Sequence, residues 1–187
     1  EIFQKHNYLA IALTAFALIG CQSEPQFTEE TKEGFNLVKH KDGATLAYSP
    51  QSGVQLLTVD RYAFKDLNKN GVVDAYEDWR LPVMDRATDL AKQMSLEDIA
   101  GLMLYSSHQS LPGRSRGFGS STYNGKTFAE SGAVASDLSD EQKKFLTDDH
   151  LRHVLITSVE SPAVSAKWNN NAQAFAEGLY LGIPVNT

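Results

Sequence analysis

Disulfides are excluded at once: Cys21 is the single cysteine among 187 residues, and one thiol cannot close a loop within the chain. A membrane-spanning helix is missing as well. The longest apolar stretch, residues 8–19 (YLAIALTAFALI), falls far short of the about 20 residues that a bilayer demands. Basic residues form no cluster and the net charge is −6, which argues against nucleic acid as a partner. No pattern recurs at a period of about 20–50 residues, so a solenoid or propeller is not expected. What is left is a mildly acidic chain, 42% hydrophobic, with material for one ordinary domain core.

The short apolar run has another use. Lys5 precedes it and it leads into Leu18-Ile19-Gly20-Cys21, so residues 1–20 read as a secretory signal whose "LIGC" ending resembles the bacterial lipoprotein box. Cleavage before Cys21 would leave its thiol to carry a lipid. The polar residues 21–35 then read as a linker from the membrane. The expected location is the cell envelope, anchored through Cys21 on the periplasmic or extracellular side. The chain starts on Glu1 rather than methionine and stops in LGIPVNT, a strand-like run without a cap, so it reads as cut at both ends.

The densest chemistry lies in KDLNKNGVVDAYEDW, residues 65–79. Counted from Asp66, oxygen-bearing side chains fall at the first, third, fifth, ninth and twelfth positions: Asp66, Asn68, Asn70, Asp74 and Glu77. Gly71 is sixth, and the carbonyl of Val72 is the seventh-position ligand. This is the EF-hand calcium-loop spacing, suited to a hard cation that takes about 6–8 oxygens. Gly71 permits the sharp turn. Glu77 would close the site with both oxygens, and apolar Val73 would pin the loop to a core. A solvated Asn/Gly turn is the alternative. One loop with two asparagines suggests a structural calcium of modest affinity, and Leu81-Pro82 rules against a long exiting helix.

Around that loop, residues 36–80 read as a lead-in of small strands (FNLV, ATLAY, GVQLLTV). From residue 81 the pattern changes. A helix is expected after Pro82, with Val83, Ala87, Leu90, Ala91 and Met94 on one stripe. Ser95 with Asp98 resembles a capping box for a second helix, and LMLYSS reads as a buried strand. A Gly/Ser-rich loop covers about 109–136, and Ser139 with Gln142 caps the next helix, which ends near His150. HVLIT is a strand, Ser161-Pro162 opens a helix that Gly182 stops, and IPV starts another strand. Alternating strands and helices give a parallel α/β class.

Two phosphate-loop look-alikes fail. NGKT (124–127) has Ser120 where a glycine is required, and GFGSST (117–122) has Thr122 in that role. His150 and His153 read as solvent-facing or hydrogen-bonding rather than zinc ligands. His108 and Gln109, just past a strand in YSSHQS, are the candidate substrate-binding residues.

FKDLNKNGVVDAYEDWRLPVMDRATDLAKQMSLEDIAGLMLYSSHQS and AEGLYLGIPV together resemble family 3 glycoside hydrolases, the β-glucosidase family, over about Phe64 to Thr187. Ile99 and Leu102 depart from the lysine and glutamine of many members, and the Gly/Ser-rich insertion departs from the shortest ones. The resemblance implies that residues 81–187 begin a (β/α)8 barrel, with activity at the carboxyl ends of its strands. It implies a retaining, exo-acting hydrolase of β-glycosides or oligosaccharides, using two carboxyl groups about 5–5.5 Å apart. The family's nucleophile lies in a Ser-Asp-Trp-like segment, which this chain lacks, so no catalytic residue is assigned here and the segment alone is expected to be inactive. The competing expectation is a calcium-stabilised, lipid-anchored binding or scaffold module without catalysis.

Overall fold

A computed structural model describes residues 24–109, 122–156 and 159–187. The expected signal peptide 1–20, Cys21 and residues 110–121 of the Gly/Ser-rich loop lie outside them. The fold is mixed α/β.

The chain begins with an antiparallel sheet of β1 (Phe27–Lys32), β2 (Phe35–His40) and β3 (Thr45–Tyr48), with β2 in the middle. Strand β1 corrects the linker expected over 21–35. It pairs along its whole length with β2, from Phe27 opposite His40 to Lys32 opposite Phe35. Its charges, which suggest a solvated tether, make contacts within the sheet instead. Glu30 meets Lys39 at 3.1 Å and Lys32 at 2.7 Å, and Glu29 accepts from the Tyr48 hydroxyl at 2.5 Å. An edge strand facing water is permitted this polarity.

A hairpin of β4 (Gln55–Val59) and β5 (Tyr62–Asp66) follows, turning through Asp60 and Arg61, both at positive φ. His40 joins it to the first sheet. The Ala44 carbonyl lies 2.5 Å from Nδ1, and the Ala63 amide donates to Nε2 at 3.0 Å. Since a carbonyl only accepts and an amide only donates, the ring is the Nδ1–H tautomer. Trp79 covers it at 4.7 Å between ring centres and stacks on fully buried Phe64.

Beyond residue 80 the elements are α1 (Val83–Gln93), α2 (Leu96–Leu102), β6 (Tyr105–Gln109), α3 (Phe128–Ser131), α4 (Asp140–Thr147), β7 (His153–Ile156) and α5 (Pro162–Glu177). Both expected capping boxes form: Ser95 with Asp98, and Ser139 with Gln142. Strands β6 and β7 pair in parallel, Tyr105 opposite His153. The expected IPV strand is reduced to one parallel bridge between His153 and Asn186, with Gln173 of α5 hydrogen-bonding both the amide and the carbonyl of Val185. Helix α5 ends at Glu177 against Gly178, not at Gly182 as expected; Tyr180–Gly182 form a separate 3-10 turn.

Two cores result. Leu138, Leu146, Leu151, Val154, Trp168, Ala172, Ala176 and Val185 surround α5. Tyr76, Leu181 and Ile183 form a smaller one, against which Leu67, Leu90, Met94 and Leu102 pack. Of the expected α1 stripe, only Leu90 and Met94 take part. Val83, Ala87 and Ala91 are exposed.

Candidate metal centre

The loop from Asp66 to Glu77 leaves β5 and returns toward α1. Lys69 and Gly71 stand at φ 61° and 79°, so the chain turns twice through the left-handed region. Nothing lies within 4 Å of a Cβ placed on Gly71, so glycine serves the backbone angle there and not a tight fit.

Those turns aim the alternate side chains inward. Asp66 accepts from the Asn70 and Gly71 amides at 3.0 and 2.9 Å. The Asn68 and Asn70 side-chain oxygens accept from the amides two residues on, at 3.2 and 2.8 Å. Asp74 accepts from the side-chain amides of Asn68 and Asn70 at 2.6 and 2.8 Å. Glu77 spans the ring: one oxygen accepts from the Leu67 and Asn68 amides at 2.7 and 3.3 Å, the other from the Asp74 amide at 3.0 Å. All five side chains of the sequence pattern meet in one closed network. Val72, at the seventh position, joins the network through its backbone amide, which donates to Asn70, and its side chain is exposed.

The electrostatics of this ring are unbalanced. Asp66 and Glu77 are each 5% exposed, and none of Asp66, Asp74 or Glu77 has an ion-pair partner among the described residues. The two nearest lysines in sequence turn away, Lys65 to Glu177 and Lys69 to the Gly178 carbonyl. Burial pushes the Glu77 carboxyl up, against the pull of the Asp74, Leu67 and Asn68 amides. The Tyr76 hydroxyl is buried beside Glu77. Burial first, and then the charges of Glu77, Asp74 and Asp66, hold its ionisation far above the ordinary range.

Buried carboxylates are costly unless a cation or enough donors offset them. A divalent ion would supply that charge, so the donor set fits calcium: hard oxygens only, from three carboxylates, two amides and one carbonyl. The carboxylates are spread round the ring rather than gathered at a point, and no group of three or more His, Cys, Asp or Glu side chains among the described residues is drawn together as a metal cluster.

Sequence spacing does not reveal what holds the ring. Val73, expected to pin it, belongs to neither core. Leu67 and Tyr76 do this instead, from positions two and eleven. Helix α1 supports the far side: Asp89 accepts from the Tyr76 amide at 3.1 Å, Arg86 donates to the Tyr76 carbonyl at 3.1 Å, and Gln93 lies 3.4 Å from Asn68. Of the substrate candidates, His108 and Gln109 fall at the carboxyl end of β6, in its last two positions. His150 and His153 do form hydrogen bonds, to Asp98 at 2.7 Å and to Asn186 at 3.2 Å.

No family model matches the chain. A comparison with curated proteins does find a relative. The chain is 37% identical over 134 residues to a periplasmic β-glucosidase/β-xylosidase of Dickeya chrysanthemi, a stretch that covers 71% of this chain. This chain is a relative of the β-glucosidase family of glycoside hydrolases. The matched stretch spans 18% of the Dickeya protein's own length.

Proposed function

We propose that this chain is the amino-terminal part of a retaining, exo-acting β-glycosidase of the cell envelope, held to a membrane by a lipid on Cys21. The 37% identity to a periplasmic β-glucosidase/β-xylosidase carries this reading. Its substrate is a β-glycoside or the end of an oligosaccharide. Residues 81–187 begin a (β/α)8 barrel, and parallel pairing of β6, β7 and Asn186 in chain order supports that start. Parallel sheets are ordinarily covered on both faces. Here Tyr105 is 77% exposed and Leu155 on β7 is half exposed, which supports further chain packing on them.

The division of labour follows. Both catalytic carboxyl groups lie in the continuation of the polypeptide, so the present residues position and do not cleave. His108 and Gln109, at the carboxyl end of the first barrel strand, stand at the rim of the sugar site. Asp66, Asn68, Asn70, Asp74 and Glu77, with the Val72 carbonyl, hold a structural calcium, whose chemistry is charge compensation for the buried acids.

The test is hydrolysis of p-nitrophenyl β-glucoside and β-xyloside by the whole gene product, before and after chelation. Activity that decays slowly under chelator fits a glycosidase with a stabilising calcium. A folded product that hydrolyses no aryl glycoside refutes the enzyme reading and favours the binding module.

A further inference from the structure

The calcium-type loop faces a part of the molecule that is itself under conformational strain. Leu181 stands at φ 65° although it is a leucine, and Gly182 follows at φ 55°. Leu181 is also wholly buried. A bulky residue in the left-handed region is strained and persists only where its surroundings fix it.

The surroundings come from the loop. Leu67, second in the loop, has its amide held by Glu77, and its side chain sits on Gly182, where an added Cβ would come within 2.9 Å of Leu67 Cδ2. Tyr76, next to Glu77, packs on Leu181 and Ile183. The loop's ends grip the close of α5. Lys69 donates to the Gly178 carbonyl at 2.6 Å, while Lys65, just before the loop, pairs with Glu177 at 2.5 Å. Glu177 in turn accepts from the Ser49 amide at 3.1 Å, so the first sheet is tied to the same corner. Glu77 is thus a ligand position with direct contacts on both sides to residues that shape the corner.

We propose that cation binding in the Asp66–Glu77 loop is coupled to the order of the corner 177–183, making the loop a calcium-dependent lock between the lead-in sheets and the α/β segment. This rests on the calcium reading. With the ion bound, Glu77 is held, Leu67 and Tyr76 are fixed, and Leu181 is confined to its strained angle. Without it, ring repulsion loosens Glu77, and the corner opens toward a relaxed backbone.

Amide hydrogen exchange on the intact protein, with calcium and with chelator, tests this. Calcium binding is measured separately by isothermal titration and by terbium luminescence excited through Tyr76 and Trp79. Any opening that must release the ion is suppressed by a factor of 1 + [Ca]/Kd, about elevenfold at ten times Kd. The lock requires that slowing at the amides of 178–185 as well as at 66–77. Leu67→Ala should then bind terbium and protect 66–77 while losing the calcium effect at 178–185. If the ion binds but slows only 66–77, the lock is wrong and the calcium site stands. If neither ion binds, the calcium reading falls and the lock with it.

Discussion

Glu77 carries two opposed demands. It organises the loop by accepting three backbone amides, yet burial disfavours its charge. A carboxyl whose folded pKa is raised contributes stability below its unfolded value of about 4.3 and loses it as pH rises through the folded pKa. The calcium-free protein should therefore weaken as pH climbs from about 4 toward neutrality, and calcium should restore it. At a hundredfold its Kd, a ligand adds about 2.7 kcal/mol. Glu77→Gln should lose most of that increment while its chelated form melts no lower than chelated wild type. Differential scanning calorimetry at pH 4.5 and 7, with and without calcium, reads all four cases. Asp98 has the reverse sign. Burial works to raise its carboxyl, but the Ser95 amide and hydroxyl and then His150 outweigh it and hold it below the usual range. Its contribution is present above the unfolded value of about 3.9 and lost as pH falls through the folded one. Asp98→Asn should flatten the acid limb of the stability curve below about pH 4, measured by urea midpoints; an unchanged limb would rule Asp98 out.

The elements show which local signals suffice. Capping boxes at Ser95 and Ser139 were legible because they depend on four consecutive residues and no distant partner. The five inward oxygens of the loop were legible for the same reason. Strand β1 was not, since its polar residues gain strand character only from β2 alongside. Nor was the end of α5: Gly178 stops the helix where Ser52 and Lys69 crowd it, and Gly182 serves the next turn. The anchoring of the loop by Leu67 and Tyr76 depends on residues more than a hundred positions away, beyond any spacing rule. One close approach yields a sharp expectation. A Cβ on Gly101 of α2 would come 2.3 Å from the His150 carbonyl oxygen, a backbone atom at φ 52° that cannot easily yield. Gly101→Ala should cost about 1–3 kcal/mol despite the better helix propensity of alanine. A thermal midpoint equal to wild type would show that α2 and the α4–β7 connection are not in contact.

Across the whole molecule, the two halves differ in completeness. The lead-in sheets close around His40, Phe64 and Trp79, whereas the α/β half leaves Leu96, Met103 and Tyr105 at 77%, 81% and 77% exposure. Large apolar side chains this open to water are suited to being covered by a further packing partner. Residues 24–187 produced alone should bind an apolar fluorescent dye strongly, and the whole gene product should not. Equal dye binding by both would mean that the surface stays open.

The pairing of β1 also sets a leash. Order does not begin at Phe27, because the Glu24 carbonyl already accepts from Arg61 at 2.8 Å, and Gln26 bonds to both Arg61 and Lys41. If Cys21 is acylated, three residue steps separate the lipid from folded protein, about 10 Å at full stretch. A tether running to residue 35 would have reached about 50 Å. At the shorter distance the domain would stay close to the headgroups, since about 10 Å is little more than the depth of one headgroup layer, about 5–8 Å. It would lie on the bilayer with the Glu24–Lys41–Arg61 side downward, and long polymers would reach it only from above.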